Sequence, residues 1–370
     1  MGTMLIAIHI SFHKMKSCKH PQPLAIVQTK NNFDLIRLFA ASQVAISHAV
    51  DWMQVPVPWL GFIRYFPGVP IFFFISGYLI YQSYANIKKP NRLRLFATNR
   101  YLRLFPALYV CIIFSLILTH YSGYFYTVMI SPGQWLAWLF TQLTFLQFFN
   151  PDFMRGFATG KLNASLWTIS VELQFYLLVP AIFFLFKNYK KFSIGLFLVL
   201  VALNTGNSFL NPRQSFLEKL FNVSFVPWIA MFALGAYVST NKKLQARILK
   251  INILVPFFAY VLTYYFALKS NSGTDNSINF LSFFLLAWLV FKAAFTCPSL
   301  SESILHKNDI SYGIYIYHMP IINFMIYEGM TQSYLYLCVA LLFSTAMAIL
   351  SWRLVEKPAL KLKKISLRSA

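Results

Sequence analysis

Two ionisable side chains of different chemistry share the first strongly apolar segment of the chain. Arg37 and His48 lie in the run that begins at Asp34, with ten residues between them. Eleven helical steps place both side chains within about 20° of one helix face, roughly 16 Å apart along the axis. A guanidinium binds anions, and an imidazole exchanges a proton near neutral pH. The pair predicts a reagent held at one end of a helix and a reaction nearer the other end.

An acidic side chain lies inside another apolar segment. Glu172 is about two turns into the run that follows Ser165, and Tyr176 shares its helix face. An ionisable group inside a membrane segment indicates function. The alternative is a structural Glu hydrogen-bonded to a neighbouring helix. We expect Glu172 and His48 to meet at one depth.

Two arginines open the third apolar segment. Arg100 and Arg103 have i, i+3 spacing, so their guanidiniums share a face. Planar guanidinium forks suit phosphate groups. The alternative is that both anchor the helix end at the cytoplasmic surface, which is the favoured interpretation for the basic residues from Lys88 to Arg94.

Three further features admit two interpretations each. His318, which precedes Pro320, is either functional or a packing histidine. Asp51 either orients the ring of His48 or is simply solvated. The small residues Ser76 and Gly77 either allow close helix packing or border a narrow passage for a thin ligand.

Composition excludes an ordinary soluble domain. Hydrophobic residues make up 58% of the chain and charged residues 11%, against about a quarter charged in soluble domains. Repeated apolar runs indicate an all-α, polytopic transmembrane protein. The net charge of +22 fits cytoplasmic loops better than a nucleic-acid partner. The four cysteines show no metal or disulfide spacing, and we expect no metal site.

Charge asymmetry predicts about ten spans with both termini cytoplasmic. The segment 134–149 is then a re-entrant or interfacial helix, and 26 of the 32 Lys and Arg residues lie inside. The six outside are Arg64, Arg155, Lys161, Arg213, Lys219 and Lys269. The predicted spans are 34–53, 66–84, 101–120, 166–186, 193–209, 222–240, 251–268, 279–296, 310–328 and 334–355.

One transmembrane domain is predicted between two basic tails. Residues 1–30 and 359–370 are the cytoplasmic tails, and 31–358 form the domain. The apolar run Met4 to Phe12 is too short to span and has no small-residue cleavage site, so we do not expect a signal peptide.

Taken together, these motifs resemble the membrane-bound acyltransferase-3 family over about residues 31–358. Their order and spacing carry the resemblance: Arg37 with His48; Gly68-Val-Pro-Ile-Phe-Phe-Phe-Ile-Ser76-Gly77; Arg100-x-x-Arg103 with Pro106; Trp167-x-x-Ser170-x-Glu172-x-x-Phe175-Tyr176 with Pro180; Ser311-Tyr-Gly-Ile-Tyr-Ile-Tyr-His318; and Val355-Glu356-Lys357-Pro358.

The resemblance implies an activity and a location. Family members move an acyl group, usually acetyl, from cytoplasmic acyl-CoA to a hydroxyl of a glycan or lipid-linked sugar across the membrane. It implies acetyl-CoA or another short acyl-CoA as co-substrate, a glycan or lipid-linked sugar as acceptor, and a bacterial cytoplasmic membrane as the location. The chain ends soon after the last predicted span, so we expect no fused extracytoplasmic domain.

Two positions depart from the family pattern. The first motif is often Gly-rich, whereas this chain reads Asp34-Leu-Ile-Arg37-Leu. Pro70 stands where many members carry an acidic residue. Neither departure touches the Arg37 and His48 pair, but both leave the subfamily and the acceptor open.

The resemblance also suggests a role for each candidate residue. Arg37, Arg100 and Arg103 would hold the CoA phosphates, and the pantetheine arm would follow the first helix to His48. His48 would act as general base, with an acyl-histidine intermediate as the rival mechanism. Glu172 would orient His48 or bind the acceptor. The acceptor-binding candidates are Trp167, Ser170, Tyr176 and His318.

Two other classes of protein compete with the enzyme. A transporter or flippase for a lipid-linked sugar also needs intramembrane charge and an aromatic cavity, but the sequence shows no matching pair of broken helices in two halves. A non-catalytic membrane scaffold leaves Arg37, His48 and Glu172 unexplained.

Overall fold

The computed structural model describes residues 30–207, 216–269, 276 and 278–368, and over these ranges the chain is helical without a β-strand. Its helices, numbered in chain order, are α1 Phe33–Trp52, α2 Gly68–Ala85, α3 Arg92–Tyr121, α4 Pro132–Leu143, α5 Trp167–Asn188, α6 Lys190–Asn207, α7 Phe216–Val223, α8 Ile229–Thr240, α9 Lys242–Lys250, α10 Leu254–Lys269, α11 Phe280–Phe295, α12 Leu300–Leu305, α13 Ser311–Tyr327, α14 Tyr334–Ser351 and α15 Lys357–Arg368. Short 3₁₀ segments occupy Pro58–Tyr65, Tyr124–Tyr126 and Asp152–Met154, and a π-helical turn at Trp352–Glu356 joins α14 to α15.

Several of these helices are apolar enough to cross a bilayer. Among the described residues, four stretches have the length and hydropathy of a membrane span, and a pair bent by 89° makes a fifth if it is counted as one. They are Pro58–Ala85, Arg92–Tyr121, Trp167–Asn188 and Tyr334–Lys363, with Lys242–Lys250 and Leu254–Phe266 as the bent pair. The protein is therefore an all-helical protein with several apolar helices. The count of ten spans and the cytoplasmic location of both termini stay predictions, and residues 1–29 of the predicted N-terminal tail lie outside the described residues.

The segment expected to be re-entrant or interfacial contains a short helix. Helix α4 has 12 residues and begins with a capping box, in which Ser131 accepts from the backbone of Gln134 and the Gln134 side chain accepts in return. Its length is about 18 Å, against a hydrocarbon core of about 30 Å. The helix is too short to cross a bilayer alone, and the re-entrant or interfacial placement of 134–149 stays a prediction.

The predicted span 222–240 is wrong as a single helix, because the chain breaks between α7 and α8. Pro227 lies in the break, and proline disfavours helix in the residue before it. Gln174 of α5 satisfies the interrupted backbone: its amide donates to the Val223 carbonyl at 3.1 Å and accepts from the Phe225 amide at 2.9 Å.

The start of the third span is also corrected. Helix α3 begins at Arg92 rather than at Arg100, so Arg100 and Arg103 lie more than two turns inside it. Pro106, also within α3, does not end the helix. Both guanidiniums are consequently held between helices rather than at a helix end.

Helices α2 and α8 pack against each other through glycines. A Cβ added to Gly77 would lie 1.9 Å from the Phe232 carbonyl oxygen, and one added to Gly235 would lie 2.1 Å from that of Phe74. Only glycine permits two backbones to approach so closely. Gly77 therefore serves helix packing rather than a ligand passage.

One buried carboxylate joins three helices at one end of the bundle. Asp309, two residues before α13, pairs with Arg37 of α1 at 3.2 Å and with Arg103 of α3 at 2.5 Å. Arg103 also lies 3.8 Å from Glu356 in the π-helical turn. Burial alone would raise the pKa of Asp309, but the charges of Arg37 and Arg103 and hydrogen bonds from Ser311 hold it below its usual value. Asp309 is therefore ionised at neutral pH.

The glycine contact gives a first prediction. Gly77→Ala forces the Phe232 backbone away and costs at least about 1–3 kcal/mol of stability. Gly195→Ala is the matched control, because no atom lies within 4 Å of its added Cβ. Thermal unfolding of the detergent-solubilised protein should show a lowered midpoint for Gly77→Ala alone. Equal midpoints for the two variants would contradict the packing.

The buried carboxylate gives a second prediction. Asp309→Asn leaves two partly buried guanidiniums without their shared anion, which costs up to about 3–5 kcal/mol. Asp152→Asn removes an exposed carboxylate paired with Arg155 and should change little. The measurement is the midpoint of thermal unfolding, and a stable Asp309→Asn protein would show that solvent or lipid compensates the arginines.

Candidate functional site

A cavity of about 350 Å³ lies where α1, α2, α3, α5 and α13 meet. Most of its wall is apolar or aromatic, with charged groups at several points. The charged residues that line it are Asp34, Arg37, Arg100, Arg103, Glu172, Lys307, Asp309 and Lys363. All three arginines predicted to bind phosphate thus share one cavity.

The three arginines differ in what already neutralises them. Arg37 and Arg103 share Asp309, and Arg37 also pairs with Asp34. Arg100 lies 5.8 Å from the ring centroids of Phe96 and Tyr176 and 3.5 Å from the Ser83 hydroxyl. None of the ion pairs among the described residues involves Arg100, and its buried Nε has no hydrogen-bond partner there. Arg100 is the arginine best placed to receive an added anion.

Glu172 belongs to this cavity rather than to His48. Its Oε1 accepts from the Tyr176 hydroxyl at 2.7 Å and from the Ser76 hydroxyl at 3.3 Å. In the described part of the chain, no hydrogen bond joins Glu172 to His48. The expectation that Glu172 orients the His48 ring is therefore not supported by the geometry.

His48 is paired with His318 of α13. Its Nδ1 lies 2.9 Å from Nε2 of His318, and Nδ1 of His318 lies 3.0 Å from the Ile314 carbonyl oxygen. His318 is fully buried, whereas His48 is half-buried. Asp51, considered as the orienting group, pairs with Arg64 instead. Helix α1 therefore carries an arginine into the cavity and, three turns on, a histidine bound to α13.

Two of the predicted acceptor-binding residues take part in packing away from the cavity. The ring of Trp167 lies 5.3 Å from that of Trp228, and the buried Ser170 hydroxyl donates to Gln147 at 2.7 Å. Tyr176 alone of the four lines the cavity, and His318 lies against His48. The four residues do not form one binding surface.

A second cavity lies at the other end of α1. It has a volume of about 490 Å³ and is bordered by the last turns of α1 and by the segment that follows, with Ser47, Asp51, Gln54 and Arg64 as its polar residues. Ser47 and Asp51 flank His48 in sequence. His48 itself lines neither cavity, although the second one borders α1 on both sides of it, at Ser47 and at Asp51.

Sequence reasoning missed Asp309, which organises two of the three arginines. The chain has only 10 acidic residues against 32 basic ones, and Asp309 falls at the predicted inner end of a span. An acidic residue is scarce in this chain, and its position beside inner basic loops is the signal that could have indicated an ion pair at Asp309. Lys307 and Lys363 also line the cavity, and no helical spacing in the sequence links them to Arg100.

Comparison with known proteins identifies the family. The model of the acyltransferase-3 family, described as an acyltransferase domain, matches residues 30–354. Nodulation protein 10 of Rhizobium leguminosarum bv. viciae is 31% identical over 361 residues, which cover 90% of this chain and 94% of that protein. The O-acetyl transferase of Shigella phage Sf6 is 28% identical, over 88% of this chain and 95% of the phage protein.

A third relative is longer than this chain. O-acetyltransferase OatA of Staphylococcus aureus (strain NCTC 8325 / PS 47) is 27% identical over 89% of this chain but only 57% of its own length. No solved structure gives a significant match. The family model covers most of the described residues, and its match includes Arg37, His48, Arg100, Arg103, Glu172 and His318. This chain therefore belongs to the acyltransferase-3 family.

Proposed function

We propose that this protein is an integral membrane O-acyltransferase. It moves a short acyl group, acetyl in the first instance, from cytoplasmic acyl-CoA to a hydroxyl of an extracytoplasmic or lipid-linked glycan. The observation that carries the proposal is the pairing on α1 of a cavity arginine with a histidine held by His318. The names of two relatives, both O-acetyltransferases, support the choice of acetyl.

The charge of the first cavity suits a phosphorylated donor. Its lining holds five cationic side chains, namely Arg37, Arg100, Arg103, Lys307 and Lys363, against three carboxylates. The excess of positive charge attracts the phosphates of CoA. Because Asp309 already holds Arg37 and Arg103, Arg100 is the arginine proposed to contact a phosphate directly, while the other two shape the site.

The proposed membrane orientation places this cavity at the cytoplasmic side. Arg100, Arg103, Lys307 and Lys363 belong to segments that the charge asymmetry assigns to the inner face. With ten spans and both termini inside a bacterial cytoplasmic membrane, α1 runs outward from Arg37 to His48. The helical rise between them, roughly 16 Å, is the distance that the pantetheine arm would cover.

The proposed reaction is direct transfer with His48 as general base. The imidazole takes the proton of the acceptor hydroxyl as the oxygen attacks the thioester carbonyl. The carbon–sulfur bond breaks, the proton returns to the leaving thiolate, and the products are an ester and free CoA. The rival route places the acyl group on His48 first and then transfers it to the acceptor.

The acceptor is proposed to enter through the second cavity. That cavity borders α1 beside His48 and offers the Asp51 and Arg64 charges together with Gln54 and Ser47. Carboxylate, amide and hydroxyl groups are suited to hydrogen bonds with sugar hydroxyls. Glu172, Tyr176 and Ser76 are proposed to shape the donor cavity on the other side.

A transporter or flippase for a lipid-linked sugar is the second candidate. The break between α7 and α8 and the 89° bend between α9 and α10 are interruptions of the kind that transporters use. Both interruptions fall between residues 224 and 253, however, rather than at matching positions in two halves of the chain. Acyl-CoA consumption separates the enzyme from the transporter.

The activity is tested on membranes that carry wild-type protein or His48→Ala, incubated with labelled acetyl-CoA and a glycan-containing extract. We expect saponifiable labelled ester from wild type and a loss of about 10²–10⁴-fold in His48→Ala. His120→Ala is the control, since the His120 side chain is exposed and its ring lies against Tyr126, away from both cavities. Equal transfer by wild type and His48→Ala would remove His48 from the chemistry. Labelled protein formed without acceptor would favour the acyl-histidine route.

The donor site is tested by Arg100→Ala. Loss of a charge-assisted contact of about 1.5–3 kcal/mol should raise KM for acetyl-CoA about 10- to 100-fold with little change in kcat. Arg94→Ala is the matched control, because Arg94 is exposed on the same helix. A KM that rises equally in both variants would show a diffuse electrostatic effect rather than a phosphate contact. The readout is initial rate against acetyl-CoA concentration.

A further inference from the structure

The two intramembrane histidines form a directed chain of hydrogen bonds. His318 Nδ1 lies 3.0 Å from the Ile314 carbonyl oxygen, four residues earlier in α13. Its Nε2 lies 2.9 Å from Nδ1 of His48. The three groups, a carbonyl and two imidazoles, thus follow one another from the backbone of α13 to the ring on α1.

The carbonyl determines where each proton lies. A carbonyl oxygen only accepts, so the hydrogen at this contact is on Nδ1 of His318. A neutral imidazole carries one N–H, so Nε2 of His318 has the lone pair and accepts from Nδ1–H of His48. The second nitrogen of His48, Nε2, is then unprotonated. None of the hydrogen bonds among the described residues uses Nε2 of His48.

His318 itself is held in place from several directions. It is fully buried, and its ring meets that of Tyr315 edge-on at 6.1 Å. Pro320 has no N–H, which leaves the Ile316 carbonyl without a helical donor, and Asn163 donates to it instead at 2.8 Å. The turn of α13 that carries His318 is therefore fixed by the segment that precedes α5 as well as by its own backbone.

We infer that His318 is a positioning residue that holds His48 in the tautomer with a basic Nε2. This inference rests on the proposed acyl transfer. It gives His318 the role of positioning His48 rather than that of binding the acyl acceptor. Among the described residues no carboxylate is hydrogen-bonded to His48, in contrast to the orienting carboxylate of many hydrolases, and Asp51 pairs with Arg64. A neutral imidazole anchored to a backbone carbonyl takes its place.

The role has a defined course during the reaction. Nε2 of His48 takes the proton of the acceptor hydroxyl while the new carbon–oxygen bond forms. His48 is then an imidazolium whose Nδ1–H still donates to His318, so the lone pair of His318 stabilises the added charge. When the carbon–sulfur bond breaks, the proton on Nε2 passes to the thiolate of CoA. His318 gains and loses no proton.

The tautomer is tested without turnover, by solid-state ¹⁵N NMR on ¹⁵N-histidine-labelled protein in lipid at pH 8. His48→Ala and His318→Gln assign the signals among the seven histidines. We expect Nδ1–H and a bare Nε2 at His48 in wild type, and a mixture of both tautomers at His48 in His318→Leu. Protonation of His48 at Nε2 in wild type would overturn the inference whether or not the protein transfers acetyl.

The catalytic consequence is tested with two variants at position 318. His318→Leu removes the hydrogen-bond acceptor of His48 Nδ1–H. The variant should lower kcat about 100-fold, with KM for acetyl-CoA within about twofold of wild type. His318→Gln places a carbonyl oxygen near the lost Nε2 and should recover at least about tenfold of that loss. Equal activity of the two variants would show that His318 only fills space.

A double variant separates positioning from general stability. If His318 acts through His48, His48→Ala with His318→Leu should transfer no more slowly than His48→Ala alone. A further drop in the double variant, or a thermal midpoint that falls in parallel with activity across the series, would assign His318 to folding and overturn the inference. Absence of transfer by wild type would reject the proposed function, while the NMR result would still decide the tautomer.

Discussion

The arrangement of this protein depends on one buried carboxylate between two guanidiniums. Asp309 holds Arg37 of α1 and Arg103 of α3 at the start of α13, so three helices distant in sequence meet at one charge. Buried charges are tolerated only when paired, which is why the two arginines cannot be placed independently. The same pairing leaves Arg100 without a carboxylate partner in the described structure, and so distinguishes an arginine suited to bind from two that shape the site.

Helix α1 links the ion cluster at Arg37 to the histidine pair at His48. The ion cluster anchors it at Arg37, and the contact with His318 anchors it again at His48. The partners of these two residues, Asp309 and His318, both belong to the segment from Asp309 through α13. Two points fix a helix against both rotation and sliding, so the spacing between cation and imidazole is set by helical geometry rather than by flexible side chains. The proposed donor, with an anionic end and a reactive end separated by a thin arm, would fit this arrangement.

Irregular backbone in this protein is compensated by side chains from neighbouring segments. Gln174 binds both sides of the break before α8, and Asn163 takes the carbonyl that Pro320 leaves free. In an apolar environment each unsatisfied backbone group is costly, so such interruptions persist only with dedicated partners. Ser170, expected from the sequence to bind an acceptor, instead binds Gln147 within the bundle.

The sequence by itself determined the helical class, the ends of α1 and α13 to within about one residue, and the identity of the cavity arginines, because hydropathy, helical periodicity and charge are local properties. Only the tertiary structure decided their partners. In the structure, Glu172 accepts a hydrogen bond from Tyr176 and none from His48, and Asp51 pairs with Arg64. His318 contacts His48, from which it is separated by 270 positions in the sequence. Contacts between helices depend on the packing of faces and on close approaches such as Gly77 against Phe232, and no local pattern in one helix encodes the neighbour it will meet.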